Sequence, residues 1–515
     1  MNSREQSYLD RGLWCSASVG WSLPTAAQRW PDRVALVVGD ERLTFAQLLA
    51  RVEAVAAGFA DRGVGPGNRV VVQLPNCVEL VVVILAAWHL GAVAVPVVPL
   101  YRQHEMAHIL AVTAPTVMVA AAARGDRRPA AELDEVMPGA PARYAVGNVP
   151  GWDTLPTTGG ARHYPAAPDD DCLLLFTSGT TSEPKGVRHT SRTLLCEARS
   201  YRDEALLGGS SPVLIPAPVA HIGAVVACTL LPCLTGAPTV VMERWDPEVA
   251  VAICDRERVA LAIGAPVFLS EMLDRYDGFT GHRIAMFHTG AAPTGSTVIR
   301  RAHDVGIIAW RAWGMTEAPT MTSGRPDDPL HLRESTDGRI DTGCEVQAVD
   351  EDGRPLPPDT PGELRIRGPK VMAGYLDPAQ HGVDADGWFA TGDIGTIDTD
   401  GWVTIRGRLK DIINRGGEKF SAAEIENAIG THPAVDAVAV VGVPHERLGE
   451  QVAAFVTVRP GASWPGDDVL LAHLEVQQLA RQKAPTIWRC VPELPRTPTG
   501  KVQKRELLAT MKETR

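Results

Sequence analysis

The stretch Leu173–Thr190, LLLFTSGTTSEPKGVRHT, sets an apolar run directly against residues 177–186, rich in Gly, Ser and Thr with one Lys. The run reads as a buried strand and the remainder as a loop at its end. Gly179 lets backbone approach a ligand closely. Thr177, Ser178, Thr180 and Thr181 offer hydroxyls, successive backbone N–H groups can form an anion nest, and Lys185 adds positive charge. This is the chemistry of a phosphate cradle. It differs from the loop that ends Gly-Lys-Ser/Thr and enters a helix, because Lys185 precedes Gly186 and follows Pro184. The plain alternative is a surface loop.

Outward from this loop the chain alternates helical and strand patterns. LTFAQLLARVEAVAAGFADRG (Leu43–Gly63) reads as an amphipathic helix closed by Gly, and NRVVVQLP as a short buried strand. HEMAHILAVTAPTVMVAA repeats helix, Pro break and strand. After the loop come SPVLIPAPV, PTVVM, VALAIGAPV, RIAMFHTGA and VGIIAWRAWG, each an apolar run ending near Gly, Pro, Ser or Thr. Strands alternating with helices predict parallel sheets, whose ligands sit beyond the carboxyl ends of the strands. From about Asp337 the texture becomes short alternating runs separated by Asp-Gly and Pro-Gly turns, a meander or small barrel. The last hundred or so residues carry their own β-α pattern. There Ser421 and Glu424 have the spacing of a capping box before AAEIENAIG.

The expected fold is α/β, with a large N-terminal domain over 1–408 and a small, mobile α+β domain over 409–515. Within the first, two parallel-type subdomains are expected at about 1–168 and 169–335, followed by a small β-barrel at 336–408. A chain of 515 residues is too long for one core. Its net charge of -11 and lack of basic blocks argue against a nucleic-acid partner. MNSREQSYLDRGLW lacks the order of a signal peptide. ELVVVILAAWHLGAVAVPVVPL (Glu79–Leu100) is broken by Gly91, Pro96 and Pro99, and reads as helix, Gly cap and strand rather than a membrane span. The nine Cys form no CxxC pair and are expected as buried, reduced thiols of a cytoplasmic protein.

Four further motifs carry chemistry. In RAWGMTEAPT, Trp313 offers a stacking face, Thr316 a hydroxyl and Glu317 a carboxylate suited to Mg2+ beside phosphates; core packing is the ordinary role of such a Trp. In FATGDIG, Asp393 can accept from ribose hydroxyls or merely form a turn. GRLKDIINRGGEKF follows from Gly407, and LPRTPTGKVQKREL near the end contains Lys501.

Taken in order, these motifs resemble those of the adenylate-forming superfamily: acyl-CoA synthetases, carrier-protein adenylation domains and luciferases. The resemblance runs from about Trp21 to Leu508. FTSGTTSEPKGVRHT, STDGRI, KVMAGYLDP and GRLKDIINRGGEKF look most like the cyclohexanecarboxylate-CoA ligase group.

The resemblance implies that ATP and a carboxylic acid give an acyl adenylate and pyrophosphate, and that the acyl group then passes to coenzyme A. The alternative is transfer to a carrier-protein thiol or an amine. By the match, the segment from Thr177 to Lys185 cradles the pyrophosphate end of ATP. Thr316 binds the α-phosphate and Glu317 the Mg2+. Gly290, Ala291 and Ala292 run along the adenine, on which Trp313 stacks beside Gly314. Asp393 holds the ribose with help from Arg408. Lys501 bridges carboxylate and α-phosphate, and His221 lies beside the acyl carboxylate; a His capping a helix is its plainer reading. Lys410 matches the hinge of the small domain, whose rotation would withdraw Lys501 and bring Gly416 and Gly417 to a pantetheine tunnel, with Lys419 near CoA. The acyl pocket would draw on His221 to Val225, Gly264, Ala265 to Val267, and Gly290 to Ala292. These are small and mostly apolar, which favours an alicyclic, aromatic or short-to-medium fatty acid. Three departures stand out: Ser182 for a usual Gly, Trp313 for a commoner Tyr, and Lys419 for a frequent Asn. Oligomeric state is not implied.

Overall fold

The computed structural model describes residues 3–138, 142–160, 162–177, 184–204, 211–380, 382–415, 418–477, 479–496 and 502–513. Two large sheets dominate the first four hundred or so residues. One has eight strands, in the order Gly374–Tyr375, Lys185–Thr190, Asp171–Thr177, Val93–Pro96, Arg69–Gln73, Val117–Ala121, Ala142–Val146 and Asp153–Thr154. Its inner strands run parallel, and Lys185–Thr190 and Gly374–Tyr375 add an antiparallel edge. The other has nine strands: Arg339–Ile340, Ala318–Ser323, Ile308–Met315, Met286–Thr289, Leu261–Gly264, Val213–Ile215, Thr239–Val241, Val34–Val38 and Glu41–Thr44.

The near-continuous Val, Ile and Leu runs of these strands suit parallel sheets covered on both faces. The helix expected from Leu43 starts at Phe45, because Leu43 and Thr44 end the strand Glu41–Thr44 and Thr44 and Gln47 form a reciprocal capping box. It ends before Gly63, whose φ of 85° is left-handed. The helix Val78–His89 is buried along nearly its whole surface, and its apolar residues join the largest core cluster. It stops at His89, followed by Gly91 at φ 68° and the strand Val93–Pro96. The Trp88 indole donates to the Cys172 carbonyl at 2.7 Å, fastening this helix to the strand that leads into the Gly-rich loop. Among the described residues, no helix is long and apolar enough to cross a membrane.

The expected boundary near residue 168 is not a boundary between the sheets. Val34–Val38 pairs with Thr239–Val241 in the nine-stranded sheet, and Asp171–Thr177 pairs with Val93–Pro96 in the eight-stranded one. Hydrophobic pattern locates strands, but their partners depend on closure of long loops that no local pattern records. The expected barrel is an open ladder of four antiparallel strands, Glu345–Val349, Gly362–Arg367, Phe389–Ile397 and Val403–Arg408. A single 3-10 turn, Leu409–Asp411, then leads into a separate, smaller α+β unit. Its sheet orders Glu418–Ser421, Ile412–Arg415, Gly449–Val458 and Val435–His445, with Ile487–Cys490 also paired to Gly449–Val458. Helices Ala422–Gly430 and Asp467–Val476 pack on it.

Two smaller expectations change. The capping box at Ser421 does not form: its hydroxyl donates to the Arg406 carbonyl and Glu424 pairs with Lys483. The thiols are free, but Cys490 is exposed and Cys15, Cys77, Cys233 and Cys344 are partly so.

Candidate active site

The Gly-rich loop joins two antiparallel strands rather than a strand and a helix, with Thr177 opposite Lys185 across the pair. Ser178, Gly179, Thr180, Thr181 and Ser182 lie outside the described residues. Pairing at its base brings both loop ends to one point at the sheet edge. The Lys185 ammonium lies 5.1 Å from the centre of the Tyr375 ring.

The strands Ile308–Met315 and Ala318–Ser323 meet in a hairpin whose turn is Thr316–Glu317, closed by the pair Met315 and Ala318. Close approach requires Gly314 here, because a Cβ at that position would lie 1.8 Å from the Pro319 carbonyl oxygen. Both turn residues are tied down from outside. The His189 Nε2–H donates to the Thr316 carbonyl at 2.8 Å, and the Met372 N–H donates to the Glu317 carbonyl at 2.8 Å. The Tyr375 hydroxyl donates to Glu317 Oε1 at 2.8 Å. Burial holds His189 down to about 4, so the ring is neutral at pH 7; the bond to the Thr316 carbonyl opposes this only in part. A neutral ring donating from Nε2 has Nδ1 as its acceptor, 3.1 Å from Thr193 Oγ1.

Asp393 is almost wholly buried, at 3% exposed. Its Oδ1 accepts from Arg408 Nε at 2.9 Å and its Oδ2 from the Trp313 indole at 2.8 Å. The two strands that carry Asp393 and Arg408 place them directly opposite one another. Trp313 packs in a core cluster with Val187, Met321 and Tyr375, so it has the core role as well as a polar one.

The carboxyl ends of two neighbouring strands bring Gly264 and Gly290 together, next to Ala312 within the third. Gly290 N–H donates to the Gly264 carbonyl at 3.2 Å, and a Cβ on Gly290 would lie 3.3 Å from the Ala312 carbonyl oxygen. Ala291 holds φ at 67°, a left-handed conformation uncommon outside glycine, and Ala292 follows it in the same turn. Ala265 is buried and caps the helix Pro266–Arg275. His221 occupies the N-cap of the helix Ile222–Thr229 but makes no capping bond with its side chain. Its Nε2 is buried with no hydrogen-bond partner among the described residues, and burial holds the ring down to about 4.

The structure thus links Thr177, Lys185, Thr316, Glu317, Trp313, Gly314, Asp393 and Arg408 through the loop strands, the hairpin and the antiparallel ladder, with Asp393 inside the strand Phe389–Ile397 rather than at a turn. Lys410 is exposed in the turn after Arg408. Gly416, Gly417 and Lys501 lie outside the described residues, as does the side chain of Lys419. Sequence reasoning missed His189 and Tyr375. Their signal was only their place in VRHTS and AGYLD, which gives no partner.

Glu317 fits the divalent cation that ATP chemistry requires. A carboxylate is a hard oxygen ligand, and Mg2+ is commonly held by one or two carboxylates with phosphates and water completing its shell. Among the described residues, no three His, Cys, Asp or Glu side chains group into a dedicated metal cage. A cation carried by phosphates would need only one such anchor from the protein, and the Glu317 carboxylate has the chemistry to be it.

Residues 23–376 match the family model described as "AMP-binding enzyme", and residues 424–501 match that of the AMP-binding enzyme C-terminal domain. The chain is 30% identical to the medium-chain fatty-acid–CoA ligase of Escherichia coli (strain K12), over 97% of this chain and 92% of that protein. It is 34% identical to the 3-[(3aS,4S,7aS)-7a-methyl-1,5-dioxo-octahydro-1H-inden-4-yl]propanoyl:CoA ligase of Rhodococcus jostii (strain RHA1), over 94% of this chain and 97% of that protein. Among solved structures, it superposes on the amide bond synthetase McbA from Marinactinospora thermotolerans with a TM-score of 0.85 and 26% identity. That match covers 96% of this chain and 99% of the other.

Proposed function

The chain belongs to the AMP-binding enzymes, the adenylate-forming family that includes acid–CoA ligases, and from that premise we propose its reaction. It activates a hydrophobic carboxylic acid with ATP and transfers the acyl group to coenzyme A. The observation that carries this reading is the chain of contacts that links Lys185 through Tyr375 to Glu317, and Trp313 of the same hairpin to the Asp393–Arg408 pair. These are a phosphate charge, a metal carboxylate and a ribose acceptor.

In the first half-reaction a carboxylate oxygen attacks the α-phosphorus. The bond to the bridging oxygen breaks and its electron pair leaves with pyrophosphate. Two like-charged groups must meet, so positive charge and fixed donors matter most where negative charge accumulates. Lys185 and the loop hold the leaving pyrophosphate, and Thr316 meets the α-phosphate. Mg2+, when bound, neutralises phosphate charge. Glu317 is the residue that would hold it.

Asp393 fixes the ribose, and Trp313 with Gly290 to Ala292 frames the adenine. His221 is neutral, so at neutral pH its Nε2 offers the acid's carboxylate a hydrogen bond rather than a charge. Lys501 bridges carboxylate and α-phosphate. In the second half-reaction the CoA sulfur attacks the acyl carbon and AMP leaves with the C–O electron pair. Lys410 is then the hinge through which the small unit turns, bringing Gly416, Gly417 and Lys419 to the thiol. Ile222, Val225 and Val267 are apolar and Gly264 and Gly290 are small, which favours a hydrophobic acyl group.

Incubation with ATP, Mg2+, CoA and a panel of alicyclic, aromatic and fatty acids, with products weighed by mass spectrometry, tests the reading. Acyl-CoA and AMP are expected. Pyrophosphate release with no thioester would move the acceptor to a carrier-protein thiol or an amine, and absence of any acyl adenylate would overturn the reading entirely.

A further inference from the structure

Residues 370–376 run between the loop strand and the Glu317 turn, and are fastened to both. Ala373 N–H donates to the Arg188 carbonyl at 2.9 Å and Leu376 N–H to the Gly186 carbonyl at 2.7 Å. Tyr375 lies opposite Val187 in the same pairing. On the other side Met372 N–H holds the Glu317 carbonyl. The segment begins at Lys370, fully buried beside Glu197 at 3.2 Å and paired with Asp341. Glu197 also accepts from Thr320 at 2.6 Å, and Asp341 from Ser200 at 2.8 Å. A buried ammonium must keep such partners, so the start of the segment has one position.

With its backbone fixed at both ends, the Tyr375 ring is 8% exposed and set against Phe389. Its two chemical features then face different partners. The hydroxyl reaches Glu317 Oε1, and the ring face lies under the Lys185 ammonium. A Glu side chain on a hairpin turn would otherwise sample several rotamers.

We propose that Tyr375 is the positioning residue that couples the two ends of the Mg2+–triphosphate site. Its hydroxyl fixes the Glu317 carboxylate for the cation, and its ring seats Lys185 for the pyrophosphate. The inference rests on the reading of the site as an ATP site.

The two features separate by mutation. Tyr375→Phe keeps the ring and removes the hydroxyl. Binding of α,β-methylene ATP, which does not react, is measured by calorimetry over a series of Mg2+ concentrations and without Mg2+. For Tyr375→Phe the Mg2+ needed for half-maximal tightening rises about tenfold, the loss expected for one hydrogen bond to a charged group, and metal-free binding is unchanged. Tyr375→Leu also weakens metal-free binding, by about threefold for a lost cation–π seat. Adding Tyr375→Phe to Glu317→Gln shifts the Mg2+ requirement no further, because the hydroxyl acts through that carboxylate. Lys185→Gln weakens metal-free binding and leaves the Mg2+ requirement in place, which tests the division without altering Tyr375.

An unchanged Mg2+ requirement in Tyr375→Phe, or the same shift in the Glu317→Gln background, overturns the coupling. A wild-type protein that binds no nucleotide would instead remove the ATP-site reading beneath it.

Discussion

The indole N–H of Trp313 donates to Asp393 Oδ2 at 2.8 Å. With Arg408 on Oδ1, both oxygens of a nearly fully buried carboxylate are engaged, and its orientation is set before any ligand arrives. The Trp that stands where a Tyr is commoner in the resembling family directs its indole donor at the carboxylate proposed to hold the ribose. Trp313→Phe keeps an aromatic face and loses that donor. A hydrogen bond to a charged group contributes about 1.5–3 kcal/mol, so KM for ATP rises at least tenfold while KM for the acid holds. Steady-state kinetics with each substrate varied checks this. An equal rise for both substrates would mean the indole only packs.

The two half-reactions are expected to separate at two lysines. Lys501→Ala slows adenylation by about 10^2–10^3, the loss typical of one transition-state donor. Thioester formation from supplied acyl adenylate is largely spared. Lys410→Pro does the reverse, because a fixed φ blocks the turn between the two units. Pyrophosphate release and thioester formation, assayed separately, decide it. Equal loss of both in either variant removes the rotation.

Stability falls in acid through buried histidines. His189, His221 and His288 are each held near 4 mainly by burial, against an ordinary 6.5. Between those values the unfolded chain binds a proton that the folded one refuses. Stability is therefore full above about 6.5 and declines toward 4, by about 1.4 kcal/mol per pH unit per ring. His288 stacks on Trp310 with 5.5 Å between ring centres, so His288→Phe keeps the packing. Melting temperature against pH is expected to show a shallower acid limb in that variant. An unchanged slope would show that the ring does not resist protonation.

The hairpin that carries Thr316 and Glu317 tolerates no side chain at Gly314. Gly314→Ala places a Cβ against the Pro319 carbonyl and is expected to cost about 1–3 kcal/mol as an overpacking change. Adenylation falls with it, because the turn moves. Gly160→Ala has nothing within 4 Å and should be close to neutral. Urea unfolding of both variants provides the comparison.

The elements and much of the candidate site were legible because each depends on short-range chemistry. An apolar run ending in Gly, Ser and Thr marks a strand and its loop wherever the strand later pairs. Thus Thr177, Lys185 and Glu317 were each found at a strand end or turn, whereas Asp393 lies inside the strand Phe389–Ile397. Features that depend on distant pairing were not legible. The capping box at Ser421 lost its hydroxyl to Arg406, a residue fifteen positions away, and its Glu424 to Lys483. The expected subdomain boundary dissolved because Val34–Val38 crosses to the sheet of Thr239–Val241.

By itself the sequence determined the α/β class, the order of the elements and the residue types able to meet phosphate, cation and ribose. Those follow from periodicity, turn chemistry and charge, which neighbouring residues impose on one another. Only the tertiary structure decided that Tyr375 joins Lys185 to Glu317, that Trp313 serves Asp393, and that His189 and His221 stay neutral. Each depends on burial and on contacts between residues far apart in the chain, which exist only once both sheets have closed around the core.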